Sequence, residues 1–138
     1  MTYLCFQLYR DFHHEGWNEY DLEKLPRNEL RFLCYLMGIA HSGTKADLIV
    51  RLLTLRLVRK DLSKFGSDHD ALLAVVAEFK RSRLRWMCQQ ANLWKSGNKI
   101  QLASVLLSWR NRCRQQGLKF LEEWRAAASK AQQLALKL

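Results

Sequence analysis

Two copies of a Ser-Gly-x-Lys tetrapeptide, at residues 42–45 and 96–99, carry the residue types in this chain that are best suited to binding chemistry. The glycine lets a bulky partner approach the backbone closely. If a helix begins directly after it, the free N–H groups at the helix start favour an anion such as phosphate. A lysine in that first turn is unfavourable unless an anion is present. The tetrapeptides therefore predict two anion-binding turns; the alternative is ordinary turn chemistry with the lysine in solvent.

Each tetrapeptide lies inside a longer repeat that must position it. Residues 28–53 and 82–107 align without a gap at a separation of 54 residues, and nine of the 26 aligned positions are identical. The identical pairs are Leu30/Leu84, Arg31/Arg85, Cys34/Cys88, Ser42/Ser96, Gly43/Gly97, Lys45/Lys99, Leu48/Leu102, Leu52/Leu106 and Leu53/Leu107. Both copies read as an apolar helix, a turn and a second apolar helix, so the chain is best understood as one unit used twice.

Apolar residues recur with helical spacing along the whole chain, which predicts an all-α fold. Gly38 and Asn92 are predicted to end the first helix of each copy, and Thr44 to cap the following helix. Gly117 is predicted to break the last helical stretch. The predicted segments are an amino-terminal helix and connector (1–21), the first unit (22–60), a linker and helix (61–78), the second unit (79–116) and a carboxy-terminal helix (117–138).

Two finer predictions concern the segments around the units. Tyr3, Phe6, Tyr9 and Phe12 follow one another at a spacing of three, which predicts a packing helix with all four on one face. The stretch 60–70 includes Gly66, Ser67, Asp68 and Asp70, which predicts the linker between the units, with a helix following from about residue 71.

The charge of the chain is concentrated in its second half. Residues 1–78 hold 10 Lys/Arg and 11 Asp/Glu, whereas residues 79–138 hold 13 Lys/Arg and 2 Asp/Glu. The stretch 80–114 has nine Lys/Arg and no acidic residue. Such an asymmetry favours a polyanionic partner, most often nucleic acid, over a solvated helical face, which usually mixes charges of both signs.

The candidate binding residues follow from the turns and from this charge. Trp94, in the second loop, has two interpretations. It contacts nucleic acid, by stacking on an exposed base or lying along a sugar–phosphate edge, or, as is more common for a loop tryptophan, it fills the core of its unit. We predict that nucleic acid is bound by Arg31, Ser42, Gly43, Thr44, Lys45, Arg51, Lys80, Arg81, Arg83, Arg85, Trp94, Lys95, Ser96, Gly97, Asn98, Lys99 and Arg110.

The first copy resembles the SAP domain, a small helix–extended loop–helix module. Residues 25–53 read LPRNELRFLCYLMGIAHSGTKADLIVRLL. The agreement covers Leu25, Glu29-Leu30, Leu33, Gly38-Ile39, Ser42-Gly43-Thr44-Lys45 and Leu48-Ile49-x-Arg51-Leu52. The second copy, residues 79–107, keeps Ser-Gly-x-Lys and the leucines, but it has Asn92, Arg83-Leu84 and Val105 where the pattern has glycine, Glu-Leu and arginine. The resemblance implies binding of nucleic acid, usually duplex DNA with little sequence preference; related LEM and Rho-type modules bind proteins or RNA.

Other classes of function find little support. The four cysteines lack CxxC spacing, and Cys34 and Cys88, which are equivalent in the repeat and lie on an apolar helical stripe, predict buried free thiols. A reducing, intracellular setting is expected. The clusters His13-His14-Glu15 and Asp68-His69-Asp70 do not have the spacing of a metal site, and we expect no metal or other cofactor. Familiar catalytic motifs are absent, so we expect no enzyme activity. We expect neither a signal peptide nor a membrane span, and scattered cations on short helices argue against a membrane-surface helix.

The sequence therefore leaves two main hypotheses. The first is a non-catalytic nucleic-acid-binding protein, with DNA expected and RNA as the alternative. The second is an adaptor subunit of a nucleoprotein complex, such as a transposition, recombination, transcription or CRISPR-type complex. In that case the first unit and the carboxy-terminal helix, with its apolar residues Leu118, Leu121, Trp124, Leu134 and Leu136, would hold a protein partner.

Overall fold

A computed structural model describes residues 3–16 and 20–137, and within these ranges the chain is all-α, as predicted, without a β-strand. A short 3-10 helix, Leu22–Lys24, precedes the first repeat. The α-helices are α1 (Tyr3–His14), α2 (Arg27–Leu36), α3 (Lys45–Ser63), α4 (His69–Glu78), α5 (Arg81–Gln90) and α6 (Lys99–Leu136). None of the described helices combines the length and the apolar character that a membrane span requires.

The repeat in the sequence is a repeat in the backbone. The helices α2 and α5 begin 54 residues apart, and so do α3 and α6. Gly38 and Asn92 both have a positive φ, 74° and 56°, directly after the first helix of their unit. The predicted left-handed helix ends are confirmed at both positions. The two ends also meet, because Asn92 Nδ2 donates a hydrogen bond to the Gly38 carbonyl at 3.2 Å.

Equivalent capping boxes open the second helix of each unit. The Thr44 hydroxyl accepts from the Asp47 N–H while the Asp47 carboxylate accepts from the Thr44 N–H, at 3.2 and 3.0 Å. Asn98 and Gln101 exchange the same pair of bonds at 2.9 Å each. The predicted cap at Thr44 is confirmed. A capping box satisfies two N–H groups at each helix start.

The two units share one hydrophobic core with the flanking helices. Leucines at equivalent positions, Leu30 and Leu84, are fully buried, and α4 adds Val75 to the same cluster. Cys34 and Cys88 are buried free thiols, as predicted. Burial raises the pKa of each of these two thiols to about 11.

The last helix is longer than predicted, because Gly117 lies inside α6 and does not break it. A Cβ at residue 117 would lie 2.6 Å from the carbonyl oxygen of His13, so this glycine lets α6 and the end of α1 approach closely. From Leu118 to Lys137 every side chain that the structure describes is exposed. Leu118, Leu134 and Leu136 are among them, while the side chains of Leu121 and Trp124 lie outside the described set.

Two more boundaries differ from the predictions. The segment taken as a linker begins inside α3, which continues to Ser63, and it ends in an ordered helix start where Asp68 accepts a bond from the Ala71 N–H at 3.1 Å. The aromatic face of α1 is also incomplete: Phe12 is buried, but Tyr3 is largely exposed. A spacing of three falls short of the 3.6-residue turn, so successive residues drift around the helix.

Candidate nucleic-acid interface

Arginines of the first unit fold its loop, residues 39–43, by binding backbone carbonyls. Arg27 Nε donates to the carbonyl of Gly43 at 2.9 Å, and Arg31 Nε donates to that of His41 at 3.0 Å. Arg51 donates to the carbonyls of Ala40, at 3.3 Å, and of Ser42. Arg31 and Arg51, both predicted to bind nucleic acid, therefore have structural partners in this loop.

The first unit also supplies its own anions at the start of α3. Lys45 Nζ donates to the backbone carbonyl of Glu23 and lies 3.8 Å from the Glu23 carboxylate. Asp47 is in the first turn of α3, and its pKa is held below the usual value by the hydrogen bonds from the backbone and side chain of Thr44. Because acidic groups already lie at the positive end of this helix, an external anion would interact with it less favourably.

The second unit builds the same loop with fewer internal contacts. Arg81, the counterpart of Arg27, donates to the carbonyl of Gly97 at 3.2 Å from Nε and 3.1 Å from Nη2. Val105 stands where the first unit has Arg51, so the two carbonyl bonds of that arginine have no counterpart.

No acid lies in the first turn of α5 or of α6. Gln101 replaces Asp47 in the capping box, which keeps the bonds but removes the charge. Among the described residues, Lys99 has no hydrogen-bond or ion-pair partner, in contrast to Lys45. The positive end of α6 thus carries an added cation and no compensating group.

Five cations lie at the start of α5, one turn further along it, in the loop and in the first turn of α6, and we call them the basic loop surface: Lys80, Arg81, Arg85, Lys95 and Lys99. Arg81 and Arg85 are one turn apart on α5, so they lie on the same face. The counterpart of Arg85, Arg31, reaches the loop carbonyl of His41, whose own counterpart is Lys95. Arg85 makes no such bond to Lys95 among the described residues, and its side chain is exposed. Since a spread of exposed cations contacts phosphates well, this surface is suited to a polyanion.

Trp94 is on the surface, and the interpretation that it fills the core is wrong. Its side chain is 54% exposed. A Cβ at residue 97 would lie 2.5 Å from Trp94 Cζ3 and 2.7 Å from Cη2, so the indole is seated on Gly97, which is itself buried. The first unit has Ala40 in place of the tryptophan, and Arg51 Nη2 approaches Gly43 at 3.4 Å from the equivalent point. The tryptophan covers the turn that an arginine covers in the first unit.

Two of the cations predicted in the second unit do not belong to this surface. Arg110 is fully buried, so its prediction as a binding residue is wrong. It donates to the carbonyls of Leu62 at 2.8 Å, Phe65 at 2.7 Å and Gly66, and burial lowers its pKa to about 10. Arg83 pairs with Asp61 at 3.2 Å, and its guanidinium lies 4.2 Å from the centre of the Trp86 ring. These contacts hold α3 to the second unit.

A buried ionic cluster near the end of α3 gave no signal in the sequence. Arg59, fully buried, lies 3.0 Å from the Glu15 carboxylate, which also accepts a bond from Arg114 Nε. Burial raises the pKa of Glu15, but the bond from Arg114 and the charges of Arg59 and Arg114 outweigh it and leave the pKa below its usual value. Glu15 thus has a structural role, and no group of metal-ligating side chains occurs among the described residues.

Comparison with protein-family models, with curated proteins and with solved structures finds no match.

Proposed function

We propose that this chain is a non-catalytic nucleic-acid-binding protein that holds phosphates at the basic loop surface, with duplex DNA as the expected ligand. One observation carries the proposal. The two units share a helix start that favours an anion, but the first fills it with its own acids and the second surrounds it with cations. An external anion would supply the negative charge that is missing at the start of α6 in the second unit.

The wider charge distribution supports a polymer over a single small anion. Residues 79–138 hold 13 Lys/Arg against 2 Asp/Glu, and the cations of the basic loop surface come from a helix start, a helix face and a loop. Contacts of this kind go to the phosphate backbone and give affinity with little reading of bases. The resemblance to SAP domains points in the same direction. Four buried free thiols agree with a reducing, intracellular setting for this role.

Salt dependence of binding to a labelled short duplex tests the proposal. If about three phosphates are contacted, affinity falls about 40-fold between roughly 50 and 200 mM salt. The variants Lys99→Glu and Arg85→Glu each weaken binding by about tenfold, since each places a negative charge next to a phosphate. Binding that does not respond to salt in this range contradicts the proposal.

Lys130→Glu is the matched control for net charge. It makes the same charge change on an exposed residue of α6, roughly 45 Å along the helix from Lys99. Binding within about twofold of the wild type is expected, because charges beyond a Debye length are largely screened. An equal loss in Lys130→Glu and Lys99→Glu would show that total charge matters and the basic loop surface does not.

The adaptor role is a second candidate, and an exposed apolar stripe on α3 favours it. Val50, Leu53 and Leu57 are 61%, 48% and 48% exposed. Their counterparts in α6 are Ser104, Leu107 and Asn111, which lie beside Leu72 of α4, and Leu107 is only 7% exposed. In the second unit, this face of the helix is therefore covered by α4. We expect a protein partner to place an amphipathic helix, similar to α4, on the stripe of the first unit.

Light scattering after size exclusion separates the two candidates. If the stripe on α3 is normally covered, the isolated chain associates as its concentration rises, because an apolar face in water favours self-association. The variant Val50→Ser/Leu57→Asn, which installs the residues of the second unit, then restores a monomer. A wild-type chain that is monomeric at every concentration argues against an obligate adaptor subunit.

A further inference from the structure

We infer that Trp94 is a stacking platform for an unpaired base, so that the ligand is a nucleic acid with an unpaired nucleotide next to its phosphate contacts, such as an overhang or a frayed duplex end. This inference rests on the proposed function, which supplies the phosphate contacts. It adds the class of substrate: a strand that exposes a base where the basic loop surface holds its backbone.

The first ground is the fixed position of the ring. The Cζ3–Cη2 edge of the indole lies against Gly97, in space that any side chain at residue 97 would occupy. Gly97 is buried beneath it, and Arg81 holds the carbonyl of the same glycine. The platform is therefore seated on a loop that is tied to α5. A ring held in this way loses little conformational freedom when a base stacks on it.

The second ground is the exposure of the ring among cations. With 54% of its surface in solvent, Trp94 keeps a large area free for contact. Its loop neighbour is Lys95, Lys99 follows in the first turn of α6, and no acid occurs between residues 80 and 114. An aromatic ring beside a line of cations is the arrangement with which proteins bind single strands: the cations take the phosphates and the ring takes a base.

The third ground is the comparison with the first unit. There Ala40 occupies the position of Trp94, and the space above the turn holds the guanidinium of Arg51, which is bonded to the carbonyls of Ala40 and Ser42. The first loop therefore has no tryptophan above its turn. Its own ring, His41, packs edge-on against Tyr35 with 5.8 Å between ring centres, and its arginines are bonded to backbone carbonyls. Inside a duplex, paired bases are stacked on both faces, so away from the duplex ends the indole can stack only on a base that has left the stack.

Three probes with the same duplex test the inference: a blunt duplex, one with a short thymidine overhang, and one with an overhang of equal length made of abasic sites. The two overhangs carry the same number of phosphates, so charge alone binds them equally. The wild-type chain is expected to bind the thymidine overhang about tenfold more tightly than the abasic one. The overhang is placed at the 5′ end in one series and at the 3′ end in another.

Variants assign this preference to the ring. Trp94→Ala should lower the ratio of the two affinities to about one, while Trp94→Phe keeps part of it because phenylalanine still stacks. Lys99→Glu should weaken binding to all three probes and leave the ratio unchanged. Equal binding of both overhangs by the wild type overturns the inference, and Trp94 would then be a candidate contact for a protein partner. A preference that persists in Trp94→Ala also overturns the inference.

The same measurements separate the inference from the proposed function. Salt-sensitive binding of the blunt duplex together with equal binding of both overhangs retains the phosphate contacts and rejects the platform. A preference for the thymidine overhang together with salt-insensitive binding of the blunt duplex rejects the phosphate surface, and with it the proposed function, while the stacking contact stands.

Discussion

The two units open their second helix at the same backbone position and with the same capping geometry, but they treat the charge at that position in opposite ways. In the first unit, Lys45 contacts Glu23, Asp47 lies in the first turn, and the loop carbonyls are held by arginines. In the second, Lys99 has no partner among the described residues and the first turn holds no acid. Similarity to a sequence motif therefore does not indicate which copy is free to bind.

The first unit shows how a motif can be retained for folding. Arg27, Arg31 and Arg51 use their guanidinium groups on carbonyls of residues 40–43. Arg51, which belongs to the SAP-like pattern, therefore also builds the loop. The second unit has lost one of these arginines and gained an exposed tryptophan. On this basis we propose a division of labour, in which the first copy organises the fold and the second presents its cations.

The largest expected effect is on stability, at a pair of equivalent arginines that differ in burial. Arg110 is fully buried on three backbone carbonyls, whereas its counterpart Arg56 is partly exposed. Arg110→Ala should lower the free energy of unfolding by about 3 kcal/mol, because it leaves buried carbonyls unpaired and opens a cavity. Arg56→Ala should cost no more than about 0.5 kcal/mol. Urea denaturation of both variants checks this, and equal losses would contradict the asymmetry.

Glu15 is expected to join the end of α3 to the middle of α6 in a way that depends on pH. Its pKa is lowered in the folded chain, so it stabilises the fold at pH values above its unfolded pKa of about 4.3. That contribution is lost as the pH falls through the folded pKa. Glu15→Gln should cost about 2 kcal/mol at neutral pH, because it leaves Arg59 buried without its counter-charge.

Thermal unfolding of the wild type and of Glu15→Gln between neutral and acid pH measures this effect. The difference in stability should be largest at neutral pH and should shrink as the solution is acidified. A constant difference across the range would mean that the ionised carboxylate is not what holds the two arginines.

The seat of Trp94 on Gly97 predicts coupling between the two residues. Gly97→Ala should cost about 1–2 kcal/mol, because the new Cβ meets the indole and Gln101 Cβ at 2.5–2.9 Å. In a Trp94→Ala background the cost should fall by about 0.5 kcal/mol or more. Gly43→Ala is the control, since its cost comes from φ of 112° and from Asp47. Additive losses for residues 94 and 97 would show that the ring does not rest on the glycine.

The smallest effect is expected from converting the first loop toward the second. Arg51→Val removes bonds to the carbonyls of Ala40 and Ser42 at an exposed site, so it should cost about 0.5–1 kcal/mol. The reverse change, Val105→Arg, should leave stability within about 0.5 kcal/mol, because Trp94 already covers the turn. Denaturation midpoints measure both, and a larger loss in Val105→Arg than in Arg51→Val would contradict this view of the loops.

Local signals in the sequence predicted the repeated frame well. The ends at Gly38 and Asn92, the cap at Thr44 and the apolar stripes depend on neighbouring residues, so a short window of sequence contains their causes. The interpretation of Gly117 was wrong because a glycine that ends a helix and one that admits another backbone have the same local pattern. Only the approach of His13 distinguishes them.

The candidate site was predicted less completely, because its members differ in tertiary contacts and not in type. Arg110 and Arg85 are both arginines in a basic stretch, but one is buried under the end of α3 and the other is exposed. In the same way, the sequence could not show that Glu23 reaches Lys45, since the two residues are far apart in the chain. The two units thus differ in tertiary contacts, which a local sequence pattern does not contain.

Matched charge reversals in the two units test the central claim most directly. The pair Lys99→Glu and Arg85→Glu is compared with Lys45→Glu and Arg31→Glu by measuring affinity for the same duplex across a range of salt. Substitutions in the second unit should weaken binding by about tenfold each and lower the salt slope, whereas those in the first should change affinity by no more than about twofold. Equal losses in both units, or a larger loss in the first, would contradict the division of labour between them.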